Sequence, residues 1–419
     1  MAQAQDADDV AIPASKWGDT IGGDWGGVRS DLDDKGIDLN LSYGNEFAAN
    51  ASGGTNKDAT AIGQVTAGVT LDMDKIAGFR GGSLHGTITY RHGPSLVDKA
   101  GLDTLQLVQE AWGRGQTWRL TEFYWDQQVA PGVDIKAGRL TMGSDFESLG
   151  CDAQNLTFCG AAVGNLVGDY WYNWPVSQWG AVGKVTRRNW YAMAGVYEAN
   201  THNLDNNFAL NHAGADGVTV PVEFGWIAHL GAHGLPGVYK IGGWYNTQHA
   251  DDLQLAVDHQ LVGDRDIDPL RRKGRYGAYI AIRQQLTGTY VDDPVKGPTT
   301  TSGLSIQLNY TQADRRTART DDQVTAAAIW TAPFAGRPED DVALFVGRTN
   351  VNARAAYAEQ LADPRSERAH AEYVGEFYYS LHLMPGVMLR PNVQYIVDPG
   401  GYRSRTDEVI LGLKSAFTL

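Results

Sequence analysis

The charged residues of this chain that could do chemistry do not cluster into a catalytic motif. They recur on one face of extended, alternating stretches. Glu46, Arg91, Glu122, Lys240 and Arg283 fall on the polar side of such stretches, and Arg139 and Asp145 flank the end of another. An arginine donates several hydrogen bonds in a fixed fork, and a carboxylate accepts several. Opposed across a narrow wet space, they would grip hydroxyl groups without requiring a charged ligand. A generically charged, water-filled wall is the alternative for each residue singly. Trp171, Tyr172, Trp174 and Trp179 lie together in or beside the stretch 143–178. Their faces suit the C–H face of a ring-shaped polyol, or they merely pack that segment against its neighbours.

Other constellations fail. His229 and His233 are four apart, but Leu235-Pro236-Gly237 follows and breaks the helix a metal pair would need, so no metal is expected. No Gly-x-Ser-x-Gly or phosphate loop is present, and no cofactor is expected. Asp33-Asp34, Asp251-Asp252 and Asp292-Asp293 have no visible catalytic partner. The net charge is -14 and no basic stripe gathers on one segment, which argues against nucleic acid. Arg271-Arg272-Lys273 and Arg315-Arg316 are short loop runs that suit anionic lipopolysaccharide or solvent. The two cysteines, Cys151 and Cys159, sit eight apart in a Gly-, Asp- and Asn-containing segment. A single disulfide made in an oxidising compartment fits this spacing, with two unpaired thiols as the alternative.

The elements that must carry these residues are strands. No run approaches eighteen apolar residues, which excludes a membrane-spanning helix but not a membrane barrel, and the mean hydropathy of -0.33 fits either. Ile37, Leu39, Leu41 and Tyr43 alternate with Asp38, Asn40, Ser42 and Gly44. Leu304, Ile306, Leu308 and Tyr310 alternate with Ser305, Gln307, Asn309 and Thr311, and Val409, Leu411 and Leu413 face away from Gly412 and Lys414. This period of two marks half-buried strands. Such stretches centre near residues 43, 67, 87, 123, 136, 183, 194, 224, 242, 281, 307, 327, 345, 377, 391 and 413.

Connections alternate in length. The links 142–177 and 249–274 are long, while Arg187-Arg188-Asn189 and Met384-Pro385-Gly386 are tight turns. Exceptions are a short first loop, a short loop near 313–322 and a longer connection around Asp292–Thr301. The pattern predicts an all-β, transmembrane antiparallel barrel of about sixteen strands, with long external loops and short periplasmic turns. Residues 1–35 read as a periplasmic segment and 36–419 as the barrel. Tyr43, Tyr90, Trp244, Tyr245, Tyr378, Tyr379 and Tyr395 supply candidates for aromatic girdles. Met1-Ala2-Gln3-Ala4-Gln5-Asp6 carries no signal peptide; it reads as a stub left by cleavage behind an added Met, or as an ordinary cytoplasmic start.

Several stretches, in order, resemble the carbohydrate-selective porin family, the OprB type. They are Gly23-Asp24-Trp25-Gly26-Gly27-Val28-Arg29, Leu39-Asn40-Leu41-Ser42-Tyr43-Gly44-Asn45-Glu46, Ala137-Gly138-Arg139-Leu140 with Asp145-Phe146, and Gly195-Val196-Tyr197-Glu198-Ala199-Asn200. The most specific is Arg390-Pro391-Asn392-Val393-Gln394-Tyr395-Ile396-Val397-Asp398-Pro399-Gly400-Gly401, followed by Leu411-Gly412-Leu413-Lys414. The resemblance covers nearly the whole chain. It implies a sixteen-stranded bacterial outer-membrane barrel, not an enzyme, that admits glucose and related small sugars passively. It also implies that the third external loop, 142–177, folds inward as a constriction. Outer-membrane lipid and lipopolysaccharide would surround the barrel, and both a monomer and a homotrimer stay open. Barrels of this class usually end in Phe, whereas this chain ends Phe417-Thr418-Leu419. A general or anion- and carboxylate-preferring diffusion channel is the alternative, with Arg91, Arg139 and Arg283 as an anion ladder. A soluble all-β enzyme would need paired carboxylates around a cleft.

Overall fold

The computed structural model describes residues 18–419, apart from 149, 206–207, 232, 264 and 294–296. The alternating stretches are strands. They are β1 (Ile37–Ser52), β2 (Ala59–Asp72), β3 (Gly82–His92), β4 (Trp118–Ala130), β5 (Val133–Leu140) and β6 (Gln178–Arg187). Then come β7 (Trp190–Ala199), β8 (Gly217–Leu230), β9 (Leu235–Ala256), β10 (Pro269–Gln285), β11 (Thr289–Asp293) and β12 (Gly297–Ala313). The last are β13 (Thr320–Thr331), β14 (Asp341–Val351), β15 (Ala371–Met384), β16 (Val387–Val397) and β17 (Glu408–Thr418). Each of the sixteen centres read from the sequence falls in a different strand. The seventeenth, β11, is extra.

Every neighbouring pair is antiparallel, and β17 returns to β1 with Tyr43 opposite Phe417 and Phe47 opposite Leu413. Strand β11 pairs with the leading part of β12, while β12 also pairs with β10, so sixteen strands form the closed wall. Closure leaves no edge of unpaired N–H and C=O groups, which hydrocarbon could not satisfy.

The wall is apolar outside and polar inside. Ile241, Leu344 and Phe377 are 57, 52 and 51 % exposed, whereas Glu376, Gln394 and Thr311 on the inner face are fully buried. Water would not tolerate so continuous an apolar surface; lipid does. Tyr90 stacks on Trp118 at 4.8 Å, and Tyr245 and Tyr395 point outward. Trp244 and Tyr378 do not join a girdle. Both face inward and are buried beneath loops.

Two connections differ from the sequence reading. The link expected over 249–274 shortens to 257–268, because Arg271 pairs with Asp251 at 2.9 Å and Arg272 with Asp252 at 2.7 Å across the extended β9–β10 ladder. The charges that suggested a solvated loop instead zip two strands together. The connection around Asp292–Thr301 is the β11–β12 hairpin.

The connections 93–117, 141–177, 200–216 and 352–370 lie at one end, and the turns 131–132, 188–189 and 385–386 at the other. Loops 93–117 and 141–177 turn into the barrel and make its apolar core. Phe146 and Trp171 pack with Trp244, Tyr197 and Tyr279, while Val108 and Phe158 pack with Phe345, Tyr378 and Ile396.

Candidate functional site

The inward loops leave a cavity of about 1260 Å³ that reaches from loop 141–177 to the short-turn end of the barrel. Of the residues singled out by sequence, Glu46, Arg91, Glu122, Asp145 and Arg283 line it, as do Cys151 and Cys159. Arg139, Trp171 and Lys240 do not.

One charged group gathers where β17, β1, β2 and β3 meet the loops. Lys414 Nζ lies 3.6 Å from Glu46 Oε1 and 3.4 Å from Glu110 Oε1, and it donates to the Cys151 carbonyl at 3.0 Å. The Ala111 N–H donates to Glu46 Oε2 at 3.1 Å, and Gln109 Nε2 donates to the Glu46 carbonyl at 2.7 Å. Arg91 donates through Nε to Gln64 Oε1 at 2.7 Å, and its NH2 lies 3.7 Å from Glu110. Glu46 and Arg91 are 1 and 4 % exposed, so most of their polar atoms fasten loop 93–117 rather than meet solute. Glu110 and the Trp174 ring keep more surface toward the cavity, and Trp174 Nε1 donates to Gln64 at 3.3 Å.

A second group lies on β4, β5 and β6. Asp145 pairs with Lys136 and accepts the Tyr197 hydroxyl hydrogen bond at 2.9 Å. Lys136 sits over the Tyr124 ring at 5.1 Å, and Tyr124 stacks on His85 at 4.6 Å. Glu122, Asp126 and Lys184 continue this wall, and Arg283 projects from β10 without an ion-pair partner among the described residues. Fixed acids and bases thus stand side by side in a wet space, which suits solutes that both donate and accept hydrogen bonds.

Three expected contacts are corrected. Trp171 is completely buried, packed edge-on against Trp244 at 5.5 Å, and its ring offers no face to a solute. Arg139 is 2 % exposed and sealed near the rim by Ser177, by Asn203 at 2.9 Å and by Glu198 at 3.3 Å, so the anion ladder loses its middle rung. Lys240 donates to the Ser148 carbonyl at 2.6 Å and thereby holds the loop.

Loop 141–177 is locked by a buried carboxylate. Glu147 accepts from the Val163 N–H at 2.7 Å, from Asn309 Nδ2 at 3.1 Å and from the Thr311 hydroxyl. Its own N–H donates to Glu223 Oε2 at 2.8 Å, and Glu223 is held by the Tyr191 and Tyr279 hydroxyls at 2.6 and 2.7 Å. Farther along, the Gln154 and Asn155 N–H groups each donate to Glu376 at 2.8 Å. A disulfide between Cys151 and Cys159 clips the piece of loop beside Lys414.

Lys414 was legible by parity, since it faces opposite Leu411 and Leu413. Glu110, Glu147 and Gln109 were not, because connections carry no period that says which way a side chain points.

A closed antiparallel barrel, apolar outside, polar inside and narrowed by its own loops, defines an outer-membrane porin. The sequence model of the family described as "Carbohydrate-selective porin, OprB family" matches residues 56–419. The chain belongs to that family. Porin B of Pseudomonas aeruginosa is 37 % identical over 435 residues, covering 99 % of this chain and 94 % of that protein. The high-pH structure of Pseudomonas putida OprB superposes with a TM-score of 0.90 at 34 % identity, over 97 % of this chain and all of that one. The low-pH structure of the same protein covers the same shares with a TM-score of 0.63 at 27 % identity.

Proposed function

We propose that this outer-membrane porin passes glucose and other small neutral sugars by passive diffusion, with the long loops outside and the short turns in the periplasm. One observation carries the reading: charges of both signs, pinned by protein partners, share the wall of one cavity. Lys414 stands between Glu46 and Glu110, and Lys136 stands against Asp145. Such a wall presents hydrogen-bond donors and acceptors at close spacing, while paired charges limit the net field that would favour one kind of ion. A sugar hydroxyl can use both kinds of group at once. Trp174 adds an aromatic face beside them, and Glu110, Glu122, Asp145 and Arg283 are the polar contacts we assign to solute. The chemistry is transient hydrogen bonding, with no covalent step.

The test is single-channel current in a planar bilayer with millimolar glucose added. Reversible, concentration-dependent reduction of current is expected. Unaltered current together with strong anion preference in the reversal potential would overturn the sugar reading. Liposome swelling with mono-, di- and trisaccharides then sets the size limit.

A further inference from the structure

The motif Gly23-Asp24-Trp25-Gly26-Gly27-Val28-Arg29 lies ahead of the residues that the family model matches, and neither constriction loop uses it. Its place in the fold gives it a task. A short helix, α1 (Val28–Asp34), sits at the short-turn end of the barrel, ahead of β1. Asp24 holds its start: the Ser30 N–H and hydroxyl donate to the two carboxylate oxygens at 2.8 and 2.9 Å. Gly26 and Gly27 have φ of 69° and 101°, a left-handed path that side chains disfavour, and this path folds the chain back on itself. The return places the Arg29 guanidinium over the Trp25 ring at 4.5 Å.

Arg29 then reaches the seam where the barrel closes. Its NH2 donates to the Leu39 carbonyl on β1 and to a main-chain oxygen of Leu419 beyond β17, each at 3.1 Å. Its NH1 donates to Thr20 Oγ1 at 2.8 Å. The Ile21 N–H also donates to the Thr418 carbonyl at 2.8 Å. Arg29 is 4 % exposed, so its guanidinium is largely covered by these partners. A fork of fixed donors suits such a junction, because it ties three separate stretches of chain with one planar group. The segment it holds is not remote from the lumen: Asp19, Thr20 and Arg29 all line the cavity.

We propose that residues 18–34 form part of the cavity's mouth at the short-turn end, and that Arg29 is the positioning residue that latches this mouth element to the β1–β17 seam. The mouth is then set by two devices in series, the inward loops at one level and this latch at the other. Arg29 acts through the segment it holds and is not a solute-binding group.

The experiment is single-channel recording of full-length R29A and R29K, with heat-shifted gel migration to confirm a closed barrel. R29A is expected to lose the single steady open level and to show a higher conductance, while R29K restores part of the native behaviour. Glucose block, set by the inward loops, is expected to persist in R29A, so failure of the sugar reading and failure of this one are separable. A folded R29A channel with native conductance and native open-level noise would overturn the latch. If R29A does not fold, the same recording on D24A decides. That change removes the carboxylate that braces the turn presenting Arg29 to the seam, so a native open level in folded D24A would overturn the proposal equally.

Discussion

Replacing Glu147 with Ala is expected to release loop 141–177 from the inner wall while the barrel stays closed. Glu147 is completely buried and accepts from Val163, Asn309 and Thr311. Alanine leaves the Val163 N–H and Asn309 Nδ2 without an acceptor in a place water does not reach, while the Thr311 hydroxyl keeps Asn309 Oδ1 at 3.1 Å. Each stranded donor costs about 1–3 kcal/mol, so the low end for two is roughly 2 kcal/mol. At about 1.4 kcal/mol per tenfold, the displaced loop gains on the order of thirtyfold in population. Glu147 also has a φ of 57°, a conformation its anchor must enforce and which alanine keeps. The cross-strand ladders do not pass through this residue, so heat-shifted migration should survive. Two assays read the effect: protease cleavage within 141–177, which should appear, and single-channel conductance, which should rise as glucose block weakens. Native cleavage resistance with native conductance and block in E147A would refute the idea that this carboxylate is the lock.

Three more outcomes follow from the same geometry. Burial pushes the Glu147 carboxyl up from 4.5 to about 7, so the docked loop retains a proton that a displaced loop gives up. Docking is therefore at full strength below about pH 4.5 and weakens as pH rises toward 7; cleavage of the loop should increase over that window in the native channel and stay flat in E147Q. Lys414→Met removes an ammonium that lies 3.4 and 3.6 Å from two carboxylates. At an effective dielectric of about 20, each contact is on the order of 5 kcal/mol before desolvation is subtracted, so the reversal potential should move toward cation preference, and an unmoved potential counts against a role for this cluster in selectivity. Replacing Cys151 and Cys159 together by Ser removes a clip of the kind that contributes roughly 2–4 kcal/mol of chain constraint. Open-channel noise should grow while thermal stability of the barrel, held by its ladders, changes little.

Much of this molecule was written in local order. The alternation of Ile37, Leu39, Leu41 with Asp38, Asn40, Ser42 specified a strand and both of its faces, because successive side chains of extended backbone must point oppositely. Repeated sixteen times with uneven links, it specified a barrel, and parity alone turned Glu46, Arg91, Glu122 and Arg283 inward. The same rule reached Lys414. What the sequence could not determine was how much of each inward side chain would be left for solute. Glu46 and Arg91 are mostly consumed by loop 93–117, Trp171 by packing against Trp244, and Arg139 by the rim contacts with Ser177, Asn203 and Glu198. Those partners lie up to scores of residues away, in connections without periodicity, and only closure of the sheet brings them within reach. The strand pattern is an property of neighbours along the chain; the constriction is a property of neighbours across the lumen, and tertiary structure alone decides it.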